Sequence, residues 1–163
     1  MNCRHCKASL ELSLIDLGSA PPSNAYTTDI SIHAPEKYFP LRVLVCEDCW
    51  LVQTEDFTQA DKLFDVDYAY FSGFSTSWLK HSKQYVNNMV GRFNLTQDSH
   101  VVEVAANDGY LLQYVKGYGI PCTGIEPTAS TASAARKKGI YVVEKFFGKE
   151  LAYKMADQGK QAD

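Results

Sequence analysis

The chain has 163 residues, enough for one ordinary domain or two small ones, and its 45% apolar and 21% charged residues are the balance of a folded globular protein. A net charge of −3 gives no general electrostatic reason to hold nucleic acid or an anionic membrane. No apolar run reaches the roughly 18 residues of a membrane span, and "MNCRHCKASL" lacks the basic start and apolar core of a signal peptide, so the expected compartment is the cytoplasm.

Residues 1–56 read as a first unit. Four of its cysteines form two C-x-x-C pairs, Cys3 with Cys6 in "CRHC" and Cys46 with Cys49 in "CEDC". Cytoplasmic cysteines rarely build disulfide frameworks, whereas two residues between thiols let one tight turn present both sulfurs to a single ion. Two such turns complete the tetrahedral four-thiolate set that zinc favours. His5 inside the first pair could replace a thiolate, and free buried cysteines are the plain alternative. A redox role fits poorly, since neither pair precedes a helix in a β-α-β pattern. With four protein ligands the ion has no open position, so its expected role is structural. Between the pairs lie a Pro-rich loop, "GSAPPSNAY", and a strand-like run, "YFPLRVLVC"; "WLVQTE" then offers the return strand of a hairpin.

Residues 57–76 form a connector. Phe57, Phe64, Tyr68, Tyr70, Phe71 and Phe74 are too aromatic for a purely flexible linker, so the segment is expected to pack on something. A helix follows, with Ser75–Ser77 as its cap and Trp78, Leu79, Val86, Met89, Val90 and Phe93 at helical spacing. From there strands and helices alternate: "HVVEVAA" then "GYLLQYVKGYG", "PCTGIEP" then "TASTASAARKKG" with Gly139 as a stop, "IYVVE" then "GKELAYKMADQG". That alternation predicts a parallel sheet with crossover helices. Residues 77–163 have room for three β-α units, fewer than such a domain usually holds, and the expectation is the N-terminal part of a truncated Rossmann-like domain. The fold class is therefore α/β: a small zinc-ribbon-like domain followed by an incomplete Rossmann-like parallel sheet. Cys122, left over from the pairs, is expected to be a small buried core residue.

The stretch "VVEVAANDGYLL" carries the most chemistry. A strand, a tight turn and a helix start make a nucleotide-binding geometry, with the ligand beyond the carboxyl ends of the strands. Dinucleotides need a glycine-rich turn for close pyrophosphate approach, and here only Gly109 is glycine; the P-loop ending is absent too. S-adenosylmethionine has no phosphate and carries an ammonium that prefers acceptors and carboxylates. Glu103 at the strand end, small Ala105, Asn107 and flexible Gly109 suit that need. Glu126 in "GIEP", about 23 residues further on, can accept both ribose hydroxyls, with Pro127 shaping the turn under the adenine. The bland alternative is that Glu103 and Glu126 are ordinary acids at strand ends.

Taken together, "CRHC", "LGSAPPSNAY", "YFPLRVLVCEDCWLVQ", "YAYFSGFSTSWLKHSKQYV", "VVEVAANDGYLLQY" and "GIPCTGIEPTASTASAARKKGI" resemble the sugar C-methyltransferase family across nearly the whole chain. The resemblance implies an N-terminal zinc-binding domain before an S-adenosylmethionine-binding methyltransferase domain. It implies a nucleotide-linked 4-keto-deoxysugar as substrate, deprotonated beside the ketone before the carbanion takes the methyl group. Carried over position by position, it places Cys3, Cys6, Cys46 and Cys49 on zinc. Glu103, Ala105, Asn107, Gly109 and Tyr110 fall at the cofactor turn, Glu126 and Pro127 at the ribose and adenine edge. Tyr70 and Ser75 match the aromatic and serine segment over the active site, as substrate or cofactor contacts. The family's catalytic bases are expected beyond residue 163; His5, His33, His81 and His100 do not match them, so this chain alone is expected to be inactive. Expected partners are the nucleotide sugar and, through an unpaired edge at Val101–Ala105, a second copy of the chain; no nucleic acid and no membrane are expected. The alternative function is a zinc-ribbon interaction module on a degenerate Rossmann-like scaffold.

Overall fold

The computed structural model describes residues 1–24, 26, 27, 29, 32–57 and 70–163. They fall into two compact units, Met1–Leu63 and Phe64–Asp163.

The first unit is a three-stranded antiparallel sheet. Strand β1 (Leu12–Ala20) pairs with β2 (Phe39–Val45), and β2 with β3 (Val52–Thr54). The β2–β3 hairpin is the one expected from "YFPLRVLVC" and "WLVQTE", with Val43 opposite Thr54. Strand β1 was not anticipated, and it takes up Gly18–Ala20 of the expected Pro-rich loop. Every residue of β1 is exposed, so no inside–outside alternation marks it; pairing with β2 is what makes it a strand. Its ladder is irregular between Ser13 and Ile15 and again between Asp16 and Ser19. At the second break Gly18 adopts φ +76° and donates its amide to Asp16 Oδ1 at 2.9 Å. The buried cluster of this unit is small: Cys3, Leu10, Leu44 and Cys46.

The second unit follows the expected alternation. A 3₁₀ turn (Ser72–Phe74) leads into α1 (Thr76–Phe93), then β4 (Val101–Val104), α2 (Leu112–Gly117), β5 (Cys122–Ile125), α3 (Ala129–Lys137), β6 (Tyr141–Val143) and α4 (Lys149–Asp157). The strands are parallel in the order β4-β5-β6, so the first strand of the motif is flanked on one side by the second and third. These residues build part of a Rossmann-like sheet, as the sequence predicts. Ser75 caps α1 by accepting the Trp78 amide at 3.2 Å. Gly139, at φ +76°, ends α3 by donating to Arg136 O at 2.8 Å, and Ile140 donates to Ala135 O at 3.2 Å.

Side chains from α1, α2, α3 and β6 meet in one core: Val86, Ala106, Leu112, Val115, Ile120, Ala132, Ala135, Ile140 and Val142. Only part of the expected α1 stripe reaches it. Val86 is buried and Val90 packs against the cluster, while Trp78 and Phe93 are exposed. Cys122 is half-buried against the same core rather than fully inside it. Of the connector aromatics, Phe64 and Tyr68 lie outside the described residues, and Phe57, Tyr70 and Phe74 are exposed.

On the outer side of β4, Asp163 donates its amide to His100 O at 3.2 Å and accepts the His100 amide at Oδ2, 2.7 Å. The ladder with β5 starts at Val101, whose amide meets Pro121 O at 2.9 Å. Alternate residues, Val102 and Val104, therefore turn their backbone groups away from β5.

Candidate functional site

The two C-x-x-C segments fold into the same backbone turn. In the first, the Cys3 amide donates to Ala8 O at 2.8 Å and the Lys7 amide to Cys3 O at 3.1 Å; in the second, the Cys46 amide donates to Leu51 O at 3.0 Å and the Trp50 amide to Cys46 O at 2.8 Å. Lys7 and Trp50, each just after its pair, both take left-handed backbone, φ 68° and 62°. Non-glycine residues there carry a strain of roughly 1–2 kcal/mol, so something must hold each turn shut.

The sulfur geometry says what. Cys3 and Cys49 sulfurs lie 3.6 Å apart, Cys6 and Cys46 sulfurs 3.4 Å, and all four fall within 4.8 Å of one another. Zinc–sulfur bonds of about 2.3 Å in a tetrahedron set sulfur–sulfur edges near 3.8 Å, so the four thiols fit one ion. Gln53, buried on β3, donates Nε2 to Cys3 Sγ at 3.4 Å and accepts the Arg4 amide at Oε1, 3.0 Å. That side-chain hydrogen bond, with the Cys6 and His5 amides, outweighs burial and holds the Cys3 thiol down at about 5, whereas, against the pull of the Ala8 amide, hydrogen bonding to Cys46 and burial push Cys6 up to about 12, so Cys3 is the thiol of this pair that ionises first. Gln53 was not singled out from sequence; its place in the returning strand beside the second pair was the signal. Cys3, Cys6, Cys46 and Cys49 are brought together, and His5 is not part of this cluster.

The second region of interest is a cleft of about 460 Å³ at the carboxyl ends of β4, β5 and β6. Six of the sequence-derived residues line it: Tyr70, Ala105, Asn107, Tyr110, Glu126 and Pro127. Three do not. Gly109 is buried behind it, at φ +73°, where an added Cβ would meet Ile140 Cδ1 at 2.4 Å, so glycine is required for helix–strand packing. Ser75 is the cap of α1. Glu103 sits just before the lining residues, with Oε2 buried and without a partner among the described residues.

The turn has an unusual backbone. Ala105 (φ 59°), Asn107 (φ 50°) and Gly109 (φ 73°) are all left-handed. Alternate residues thus adopt the shape that glycine permits most easily, though two of the three are not glycine.

Glu126 stabilises that shape. Its carboxylate is buried, Oε2 accepting the Asn107 amide at 2.9 Å and Oε1 the Thr128 amide at 2.9 Å. Each oxygen has acceptor capacity left for a ligand at the cleft wall. Asn107 also reaches the aromatic segment, accepting the Ser72 amide at Oδ1 (2.9 Å) and donating Nδ2 to Tyr70 O (3.0 Å). Asp108 continues this grip by accepting the Gly73 amide at 3.2 Å, and Lys138 Nζ holds its other oxygen at 3.0 Å. A Cβ on Gly73 would lie 2.2 Å from Asp108 Oδ2, so this contact depends on glycine. In the described part of the connector, Tyr70–Gly73 therefore does pack, through its backbone, on the turn.

Sequence reasoning missed Ser72, Asp108, Lys145, Phe146 and Phe147, of which all but Asp108 line the cleft. The last three follow β6, and a ligand crevice beyond strand ends was reason to expect them. The histidines stand apart. His81 stacks on Trp78 at 5.2 Å, and His100 bridges Thr123 Oγ1 (2.9 Å) and Gln161 O (3.0 Å).

Residues 3–64 match the family model described as "Putative zinc binding domain". Over 154 residues the chain is 29% identical to "C-methyltransferase NovU" of Streptomyces niveus, an alignment covering 94% of this chain and 36% of that relative. The chain spans about a third of the length of the curated relative it matches. The family match falls on the four-thiol unit and supports zinc there, while the C-methyltransferase relative reaches across the cleft as well. Among the described residues no helix is long and apolar enough to cross a membrane.

Proposed function

We propose that the second unit binds S-adenosylmethionine, as part of a C-methyltransferase acting on a nucleotide-linked 4-keto-deoxysugar in the cytoplasm, and that the four cysteines hold a structural zinc. The observation that carries this reading is Glu126: a buried carboxylate at the wall of a strand-end cleft, fixed by two backbone amides and able to accept a pair of vicinal hydroxyls. When bound, S-adenosylmethionine supplies an electrophilic methyl group. The chain's own part is to hold and orient it. Glu126 takes the ribose hydroxyls, and Pro127, Phe146 and Phe147 offer apolar surface for the adenine. Tyr110 and the Tyr70–Ser72 segment wall the cleft, which limits water around a developing carbanion. The outward backbone groups of Val102 and Val104 support pairing with a further strand, including one from a second copy.

Calorimetric titration of S-adenosylhomocysteine into the zinc-loaded chain tests the reading, with NAD as control. The expected result is one-to-one binding of S-adenosylhomocysteine, none of NAD, and loss of binding in Glu126→Gln with the circular dichroism spectrum unchanged. Failure of the native chain to bind would overturn it and leave the zinc-bearing interaction module as the better account.

A further inference from the structure

The strap Tyr70–Gly73 has little apolar hold on the second unit. Tyr70 is exposed, and no residue of the strap belongs to the buried core. Its grip is polar, and it comes from two consecutive residues of the turn between β4 and α2. Asn107 takes both polar groups of the strap backbone: Oδ1 accepts the Ser72 amide at 2.9 Å, and Nδ2 donates to Tyr70 O at 3.0 Å. Asp108 Oδ1 accepts the Gly73 amide at 3.2 Å.

The turn end of these contacts is anchored. Glu126 Oε2 holds the Asn107 amide at 2.9 Å, and Lys138 Nζ holds Asp108 Oδ2 at 3.0 Å. The strap end has the three hydrogen bonds and its covalent link to α1. Segments with few buried apolar contacts open at lower free energy than the core they lie on. Yet Tyr70 and Ser72 line the cleft, whereas Gly73 and Asp108 do not. Part of the cleft wall is therefore held in place by groups that stand outside the cleft.

We propose that Asn107 and Asp108 are positioning residues, a two-residue latch that clamps Tyr70–Gly73 as the movable wall of the cleft, so that bound methyl donor leaves when the latch opens. This rests on the reading of the cleft as the methyl-donor site and adds a gate to it. Opening lifts the wall without unfolding the core. Loosening the latch therefore speeds departure of the ligand more than it alters arrival. Gly73 allows the latch to be loosened from the strap side, because a Cβ there would collide with Asp108 Oδ2.

The test combines amide hydrogen exchange, read by NMR, with stopped-flow kinetics of S-adenosylhomocysteine on the zinc-loaded chain. The Ser72 and Gly73 amides should be protected in the free native chain, and further protected by ligand. In Gly73→Ala the strap amides should exchange roughly tenfold faster. S-Adenosylhomocysteine should dissociate roughly tenfold faster from that variant, with its association rate nearly unchanged and the β5 amides keeping their native protection. Gly73→Ala should add nothing to Asp108→Ala, since both act on one contact. If Gly73→Ala loosens β5 as well, Asn107→Asp decides. It keeps the acceptor for Ser72, loses the donor to Tyr70, and should likewise speed strap exchange and ligand dissociation. Unprotected Ser72 and Gly73 amides in the native chain would overturn the latch while leaving the donor reading intact. So would a native dissociation rate in variants whose strap exchanges faster. Absence of binding by the native chain would overturn the donor reading and the gate with it, even with the strap amides protected.

Discussion

The two units are held together in different ways. Among the described residues, Met1–Leu63 buries a cluster of four, Cys3, Leu10, Leu44 and Cys46, and two of these are candidate metal ligands. Its longest strand has no buried residue at all. Phe64–Asp163 has a contiguous apolar core drawn from three helices, a strand and the turns between them. Burial of apolar surface is the main stabilising term for a folded domain, and a sheet without it needs another. The four-thiol cluster is the candidate for that term in the first unit, through a shared metal ion; the second has its core.

Removing the metal should break the comparison most visibly. A strong chelator, or Cys46→Ser, is expected to unfold the first unit while the second keeps its helices, because structural zinc contributes on the order of 10–16 kcal/mol. Limited proteolysis followed by mass spectrometry reads this directly: cuts should spread through residues 1–57 and spare 76–157. A protease-resistant first unit without metal would mean that its sheet stands alone.

The converse perturbation is smaller. Leu112 is completely buried in the second core, and Leu112→Ala should destabilise that unit by about 2–5 kcal/mol. Zinc content, measured by mass spectrometry of the native protein, should stay at one ion per chain. Loss of zinc in this variant would show that the units are energetically coupled.

The smallest effect sharpens the comparison at the backbone. Ala105→Gly relieves left-handed strain of about 1–2 kcal/mol but frees the unfolded chain by about 0.4–1 kcal/mol. The net expectation is a stabilisation of between zero and about 1.6 kcal/mol in the second unit, read as a rise in its denaturation midpoint. A fall would mean that the Ala105 methyl makes contacts worth more than the strain.

The legible parts of the sequence were those with a strong local period or a fixed spacing. The cysteine pairs, the β2–β3 hairpin and the β-α alternation from Val101 onward all have such signals. Strand β1 had none, because its identity comes from hydrogen bonding to β2 rather than from a buried face. The cleft was readable at Glu126 and Pro127, where strand-end logic applies. Asn107 is more revealing. It was read as a ligand contact, and it does line the cleft, yet its side chain is spent on Tyr70 and Ser72, far away in sequence. Asp108 and Lys138 form a similar long-range link that spacing alone does not announce. Phe146 and Phe147 follow the shortest strand type and carry no motif, so only the sheet topology brings them to the cleft.

One further consequence concerns chain topology. The sulfurs of Cys6 and Cys46 are 3.4 Å apart, so a shared ion would tie off everything between them as a closed loop, with β1 and β2 zipped inside it and Ala20 set opposite Phe39. The entropy of closing a flexible loop grows only with the logarithm of its length, about 0.6 kcal/mol for each doubling. The tip between Ala20 and Phe39 can therefore lengthen at little thermodynamic penalty, provided the four sulfurs and the strand register below it are kept. In this unit, variation in length has an inexpensive place to accumulate, and an ion held by the four thiols at the loop's base would be what makes it so.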